Sequence, residues 1–255
     1  MISINFYNYI FKEYIIMEGF KLLTRMGLST FTDKAYFHLF TEFYNDYFLK
    51  FKDKEINILE IGILNGASIR MLACFFEKAK IYGIDNNPNS INDVKFPIFE
   101  NRIKTYLCSQ IDFNKIDELF KNIKFDIIID DGSHLTSHQR KTLGHMFNYL
   151  NSSGIYICED LHAFMKGYND VNPSTLEIFN NYIKTGSYNC DLISKEEHKY
   201  LNDNIEMLEV YHRDRNAVIC YNCKTINKLD KKTCSCGTTL DPINDKSITS
   251  ILIHK

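Results

Sequence analysis

The chain has 255 residues, enough for one large α/β domain with a full core and a small appendage. Its 30 basic and 32 acidic residues nearly cancel, for a formal net charge of −2. There is thus no global field steering it to nucleic acid or an anionic membrane, and any such partner would have to use a local patch.

The stretch from Met1 to Phe20 is apolar and aromatic, but Lys12 and Glu13 interrupt it. No basic leader or small-residue cleavage site accompanies it, which argues against a signal peptide or membrane span. Phe6, Ile10, Tyr14 and Met17 recur at helical spacing. The expected helix packs on the domain or on a second subunit, and would carry the contact of a homo-oligomer. Of eight cysteines, Cys74, Cys108, Cys158 and Cys190 are scattered and four cluster near the C-terminus. Without a secretion signal, this points to a reducing, cytoplasmic setting.

From Thr32 to Phe48, the residues Tyr36, Phe40, Phe43 and Tyr47 fall on one helical stripe, with Thr30 or Thr32 as N-cap. Ile56 to Gly62 then reads as a strand entering a glycine turn, and Asn65-Gly66-Ala67-Ser68 opens a helix. Small residues there let backbone amides approach a ligand closely, making Gly62, Asn65, Gly66 and Ser68 binding candidates. The phosphate-binding pattern Gly-x-Gly-x-x-Gly is missing. Glu60, just before the turn, suits a cationic ligand better than a pyrophosphate.

A second strand, Lys80 to Ile84, ends in Asp85, which could hold ribose hydroxyls or cap a turn. A third, Ile103 to Leu107, delivers Ser109, Gln110 and Asp112, which could meet an adenine edge or cap the following helix. The fourth, Phe125 to Ile129, empties into Asp130-Asp131-Gly132-Ser133-His134, and the fifth, Gly154 to Cys158, into Glu159-Asp160-Leu161-His162. Neighbouring parallel strands lie about 4.8 Å apart, so these acids can converge. Asp131, Glu159 and Asp160 would make an oxygen-rich site for Mg²⁺, flanked by His134 and His162 as proton acceptors, with Asp130 bracing the loop on its cofactor side.

Ser174 to Glu177 has the form of a capping box. The polar span from Gly186 to Asn204 reads equally as a substrate lid or as solvated surface. Ile205 to Tyr211 and Ala217 to Tyr221 would form an antiparallel edge hairpin, and Ser247 to His254 a further strand. Between them, Cys220-x-x-Cys223 and Cys234-x-Cys236 bracket a Lys-rich loop. Two close cysteine pairs can present four thiolates to a structural zinc, although the second pair is one residue tighter than usual. The boundaries expected are a helical cover over 1–50, the core over 51–219, a zinc-ribbon-like insertion over 220–240 and an edge strand over 241–255.

Taken together, Thr32-Asp33-Lys34, Leu59-Glu60-Ile61-Gly62, Tyr82-Gly83-Ile84-Asp85, Ser109 to Asp112, Asp130 to His134 and Glu159 to His162 resemble class I S-adenosylmethionine-dependent methyltransferases. The nearest resemblance is to the metal-dependent sugar O-methyltransferases of the macrocin and mycinamicin type. That resemblance implies a Rossmann-like, doubly wound, mostly parallel seven-stranded α/β sheet with N-terminal helices. It further implies that Glu60 and Gly62 line the methionine end of S-adenosylmethionine, that Asp85 holds its ribose and that Gln110 to Asp112 border its adenine. Asp131, Glu159 and Asp160 would bind Mg²⁺, His134 would be the general base, His162 its helper, and the acceptor a glycan or sugar-bearing small molecule. Two other readings compete. One is an NAD-dependent oxidoreductase, which shares the fold class but needs the missing glycines. The other is a non-catalytic or macromolecule-directed protein that uses the cysteine-rich loop for partner binding.

Overall fold

A computed structural model describes residues 19–92, 94–161, 168–214, 217–219, 226–228, 231–239 and 246–255. Its centre is a seven-stranded sheet of β1 (Asn57–Ile61), β2 (Lys80–Asp85), β3 (Ile103–Leu107), β4 (Phe125–Asp130), β5 (Leu150–Cys158), β6 (Ile205–Asp214) and β9 (Lys246–His254), in the order β3-β2-β1-β4-β5-β9-β6. The first five are parallel, and β9 runs antiparallel to both β5 and β6.

Alternation along β4 shows why the sheet is buried on both sides. Ile128 enters the core on one face with Ile116 and Phe120 of α6 (Phe113–Phe120) and Leu143 of α7 (Thr136–Met146). Ile127 and Ile129 enter the other, against Leu23 of α1 (Leu22–Thr30), Phe40 and Tyr44 of α3 (Phe40–Phe48) and Leu72 of α4 (Ala67–Phe75). Each such side chain contributes roughly 1.5–3 kcal/mol relative to exposure. That gain offsets the burial of Asp130, which accepts hydrogen bonds from Gln110 Nε2 (3.1 Å) and the Tyr156 hydroxyl (3.0 Å).

Several expectations are revised. The Thr32–Phe48 helix is two helices, α2 (Asp33–Tyr36) and α3, because Leu39 between them is left-handed at φ 53°. The break rotates the buried stripe to Phe40, Tyr44 and Phe48. Phe43 and Tyr47 turn sideways to Tyr211 of β6. Thr32 stands at the N-cap position without a side-chain capping bond. The edge hairpin pairs differently, because the nine-residue β9 gives β6 a longer partner than the short β7 (Ala217–Ile219) can offer. β7 instead pairs with β8 (Ile226–Lys228) in a separate two-stranded sheet.

The Ser174–Glu177 capping box forms at the start of α8 (Thr175–Thr185). A second box at Ser194 and Glu197 starts α9 (Lys195–Asn204). Leu201 buries α9 in the core, and no residue of 186–204 lines either cavity described below. The proposed N-terminal oligomer helix lies outside the described residues. Among the described residues, no helix is long and apolar enough to cross a membrane.

Loop contacts continue the sheet's convergence beyond the strands. Asp131 N–H donates to Ile61 O (2.9 Å), Gly62 N–H to Ile84 O (2.8 Å) and Glu159 N–H to Asp130 O (2.9 Å). Gly62 is left-handed at φ 92°, and a Cβ there would overlap the carbonyl oxygen of Asp131. Gly62→Ala is therefore expected to cost roughly 3 kcal/mol, a fall in Tm of about 6–12 °C by thermal denaturation. A fall under about 2 °C would show that the two loops are not pressed together.

Candidate active site

A cavity of about 460 Å³ opens where β1, β4 and β5 end, at the point where the sheet order reverses. A second, of about 110 Å³, lies beside the ends of β2 and β3. Gly62, Asp85 and Gly132 line both. An elongated ligand can therefore span them.

Glu60 projects from β1 into the larger cavity at 1% exposure, with the Lys34 ammonium 3.6 Å from its Oε1. Burial pushes its pKa up to about 7, with the Lys34 ammonium pulling it back. The Ser68 hydroxyl, buried in the same cavity, also pulls it down. Asn65 Oδ1 accepts from Ala67 N–H (3.0 Å), shaping the turn in which Gly66, at φ 73°, is the residue before α4. A ligand bearing an amino group would give this buried acid a second cationic partner, as a pyrophosphate would not. Asp85, three residues before α5 (Pro88–Asn92), ties the loop down. Its Oδ2 accepts from the N–H groups of Ile63 (2.8 Å) and Leu64 (3.1 Å), and its Oδ1 from Asn87 N–H (2.8 Å). Oδ1, which accepts only one of these bonds, keeps acceptor capacity for a hydroxyl.

In the smaller cavity Gln110 is a brace. Its Oε1 accepts from Ser133 N–H (2.7 Å), while its Nε2 donates to Asp130 and to Thr142 Oγ1 (3.1 Å). Asp112 is the N-cap of α6, accepting from Lys115 N–H (3.3 Å), and lines neither cavity. Asp130 lines neither as well. His138, unmarked in the sequence, does line the smaller cavity, with Nδ1 2.7 Å from Ser133 Oγ.

At the acid end, Asp131, His134 and Asp160 bring one ligand atom each within 4.8 Å of one another, a geometry that could hold a metal ion. His134 Nδ1 is 4.0 Å from Asp131 Oδ1, and its Nε2 is 3.6 Å from Asp160 Oδ2. Burial and then the Asp131 charge raise Asp160 to about 6. Glu159 stands apart from this trio. Its Oε2 accepts from Lys34 Nζ (2.8 Å) and its Oε1 from the Tyr44 hydroxyl (3.1 Å). The same ammonium bonds Asp131 Oδ2 and lies 3.6 Å from Glu60 Oε1. Burial opposes charge on Lys34, yet Asp131, Glu159 and Glu60 outweigh it and hold its pKa well above the ordinary lysine value. Lys34 is the site residue that sequence reasoning left without a role. The Thr32-Asp33-Lys34 motif was its only signal. His162 lies outside the described residues, as do Cys220 and Cys223, whereas Cys234 is buried and Cys236 exposed.

A family model for a methyltransferase domain matches residues 52–247. The chain belongs to this family. The methyltransferase domain is 32% identical over 148 residues to the mycinamicin VI 2''-O-methyltransferase of Micromonospora griseorubida, across 54% of this chain and 36% of that protein. It is 34% identical over 151 residues to the demethylmacrocin O-methyltransferase of Streptomyces fradiae, across 55% of this chain and 37% of that protein. Among solved structures it is similar to the MycE methyltransferase of the mycinamycin biosynthetic pathway in complex with Mg, SAH and mycinamycin VI. That match has a TM-score of 0.62 and 28% identity, covering 76% of this chain and 53% of the other. The match to the curated relatives thus spans well under half of their length. Sheet order and likeness together identify a Rossmann-like methyltransferase fold.

Backbone strain gathers here. Six described non-glycine residues have positive φ, and four of them, Phe31, Leu64, His134 and Asp160, line the larger cavity. At His134 (φ 59°) a glycine relieves the left-handed cost that alanine retains. His134→Gly is therefore expected to melt about 2–4 °C above His134→Ala, near 1 kcal/mol. Equal melting would mean that the strain is absent in solution.

Proposed function

We propose that this methyltransferase domain transfers a methyl group from S-adenosylmethionine to a hydroxyl of a sugar or glycosylated small molecule, with the help of Mg²⁺. The observation that carries this reading is the buried Glu60 carboxylate, facing the cavity with Lys34 as its one ion-pair partner, beside the convergent Asp131, His134 and Asp160. The relatives' names supply the acceptor class. When bound, S-adenosylmethionine supplies a methyl group on a positively charged sulfur, and Mg²⁺ supplies charge that favours a deprotonated acceptor oxygen.

The chain's own groups do the rest. Glu60 receives the amino end of the cofactor, Asp85 its ribose hydroxyls, and the cavity beside Ser109, Gln110 and His138 its adenine. Asp131 and Asp160, with Glu159 beside them, are the carboxylates to hold the cation. His134 takes the proton of the acceptor hydroxyl on a ring nitrogen, and the neighbouring carboxylates stabilise the resulting imidazolium. The glycine loops hold these groups at fixed separation, so that acceptor and methyl donor meet in line.

A screen of sugar-bearing acceptors should release S-adenosylhomocysteine with Mg²⁺ and not in excess chelator. Asp131→Asn should lower turnover at least about 10²-fold while S-adenosylhomocysteine affinity, by calorimetry, changes by less than about threefold. Full activity in chelator would overturn the metal's role, and tight NADH binding without S-adenosylmethionine binding would overturn the cofactor.

We also propose a structural zinc on Cys220, Cys223, Cys234 and Cys236. Its support is the four-cysteine spacing and the turn after Thr233. There Cys234 N–H donates to Thr238 O (2.8 Å) and Gly237 N–H to Cys234 O (2.9 Å), with Gly237 left-handed at φ 87°. Two such cysteine pairs can supply four thiolates to one structural zinc. Purified protein should carry about one zinc per chain by elemental analysis, lost in Cys234→Ser/Cys236→Ser. Zinc-free native protein would refute the site.

A further inference from the structure

We infer that Lys34 is a resident cation that competes with the divalent ion for Glu159 and Asp131, keeping that ion weakly held and exchangeable. The inference rests on the metal site proposed above. Its basis is how the carboxylate oxygens are already used. Lys34 is 1% exposed, on the four-residue α2, and its ammonium reaches acids at the ends of three strands. Glu159 is 2% exposed and has both oxygens engaged, one by Lys34 and the other by Tyr44, whose hydroxyl also pairs with Thr249 Oγ1 (2.7 Å). Asp131 is divided. Its Oδ2 binds Lys34, and its Oδ1 faces His134 and the side of the cluster shared with Asp160.

A divalent ion entering between Asp131 and Asp160 therefore shares Asp131 with an ammonium on the opposite flank. Two cations on one carboxylate repel, and the burial of the Lys34 ammonium limits the screening between them. Glu159 can join the ion only by giving up Lys34. A lysine that merely propped the acids in place would strengthen metal binding. A rival cation weakens it, so the two roles differ in sign.

The test is a Mn²⁺ titration of the full chain, reading free Mn²⁺ by electron paramagnetic resonance. Lys34→Met is expected to bind Mn²⁺ at least about tenfold more tightly than the unsubstituted protein. Glu159→Gln should change affinity less than about threefold with Lys34 present and more than about tenfold with Lys34 replaced, a coupling read from the double-mutant cycle. Mn²⁺ should also raise the Tm of Lys34→Met more than that of the unsubstituted chain. If Lys34→Met does not fold without a cation, Lys34→Met/Glu159→Gln, which removes one acid with the ammonium, is compared with Glu159→Gln alone. It should still bind more tightly, through Asp131. Unchanged or weaker Mn²⁺ binding in the folded Lys34 variants overturns the competition while leaving the metal site standing. Mn²⁺ binding by neither the unsubstituted chain nor any variant overturns the metal site itself.

Discussion

The buried ion cluster around Lys34 is the interaction on which the site's geometry depends. One ammonium from the segment before the sheet ties together acids that three separate strands deliver. A buried ion cluster of this kind adds little net stability, because desolvation consumes most of the attraction, but leaving any member unpaired is costly. Its contribution is therefore geometric. It allows Glu60, Asp131 and Glu159 to stand close together, and it draws α2 over the strand ends as one wall of the cavity.

The strand ladders and the glycine loops supply the rest of that geometry. Parallel pairing brings the ends of β1, β4 and β5 side by side, and Gly62 and Gly132 let the following loops touch where side chains would hold them apart. Tension then falls on the residues that cannot relax, His134 and Asp160, each held left-handed. Strain of this kind persists only where surrounding contacts over-determine the backbone, and here those contacts are the core beneath and the ion cluster beside.

Much of this was legible in the sequence, for identifiable reasons. The run Phe125–Asp130 is β-branched and continuous, so a strand buried on both faces was the only economical reading, and two such runs ending in acids foretold their convergence. Glu60 was readable because an acid in an apolar strand end demands a partner. What could not be read depended on side-chain direction. Nothing local distinguishes Lys34, in a short polar stretch, from a solvated lysine, and its role appears only when partners 97 and 125 residues away come to meet it. Gln110 and Asp112 had two available uses each, bracing and capping or ligand contact, and hydrogen-bond geometry decided what they do in the folded chain. The break at Leu39 also escaped, because an aromatic stripe continues across it with helical spacing and no glycine or proline marks the turn.

One feature of the sheet bears on how the protein is made. β9, the last of the seven strands in the chain, lies between β5 and β6, so neither can satisfy its facing edge until residues 246–254 have been synthesised. Thr249 on that strand also anchors Tyr44, and through it one oxygen of Glu159. A nascent chain paused within the cysteine-rich segment would therefore carry two open strand edges, with an acid cluster lacking one of its props. The seven-stranded sheet is continuous only once β9 has entered between its two neighbours.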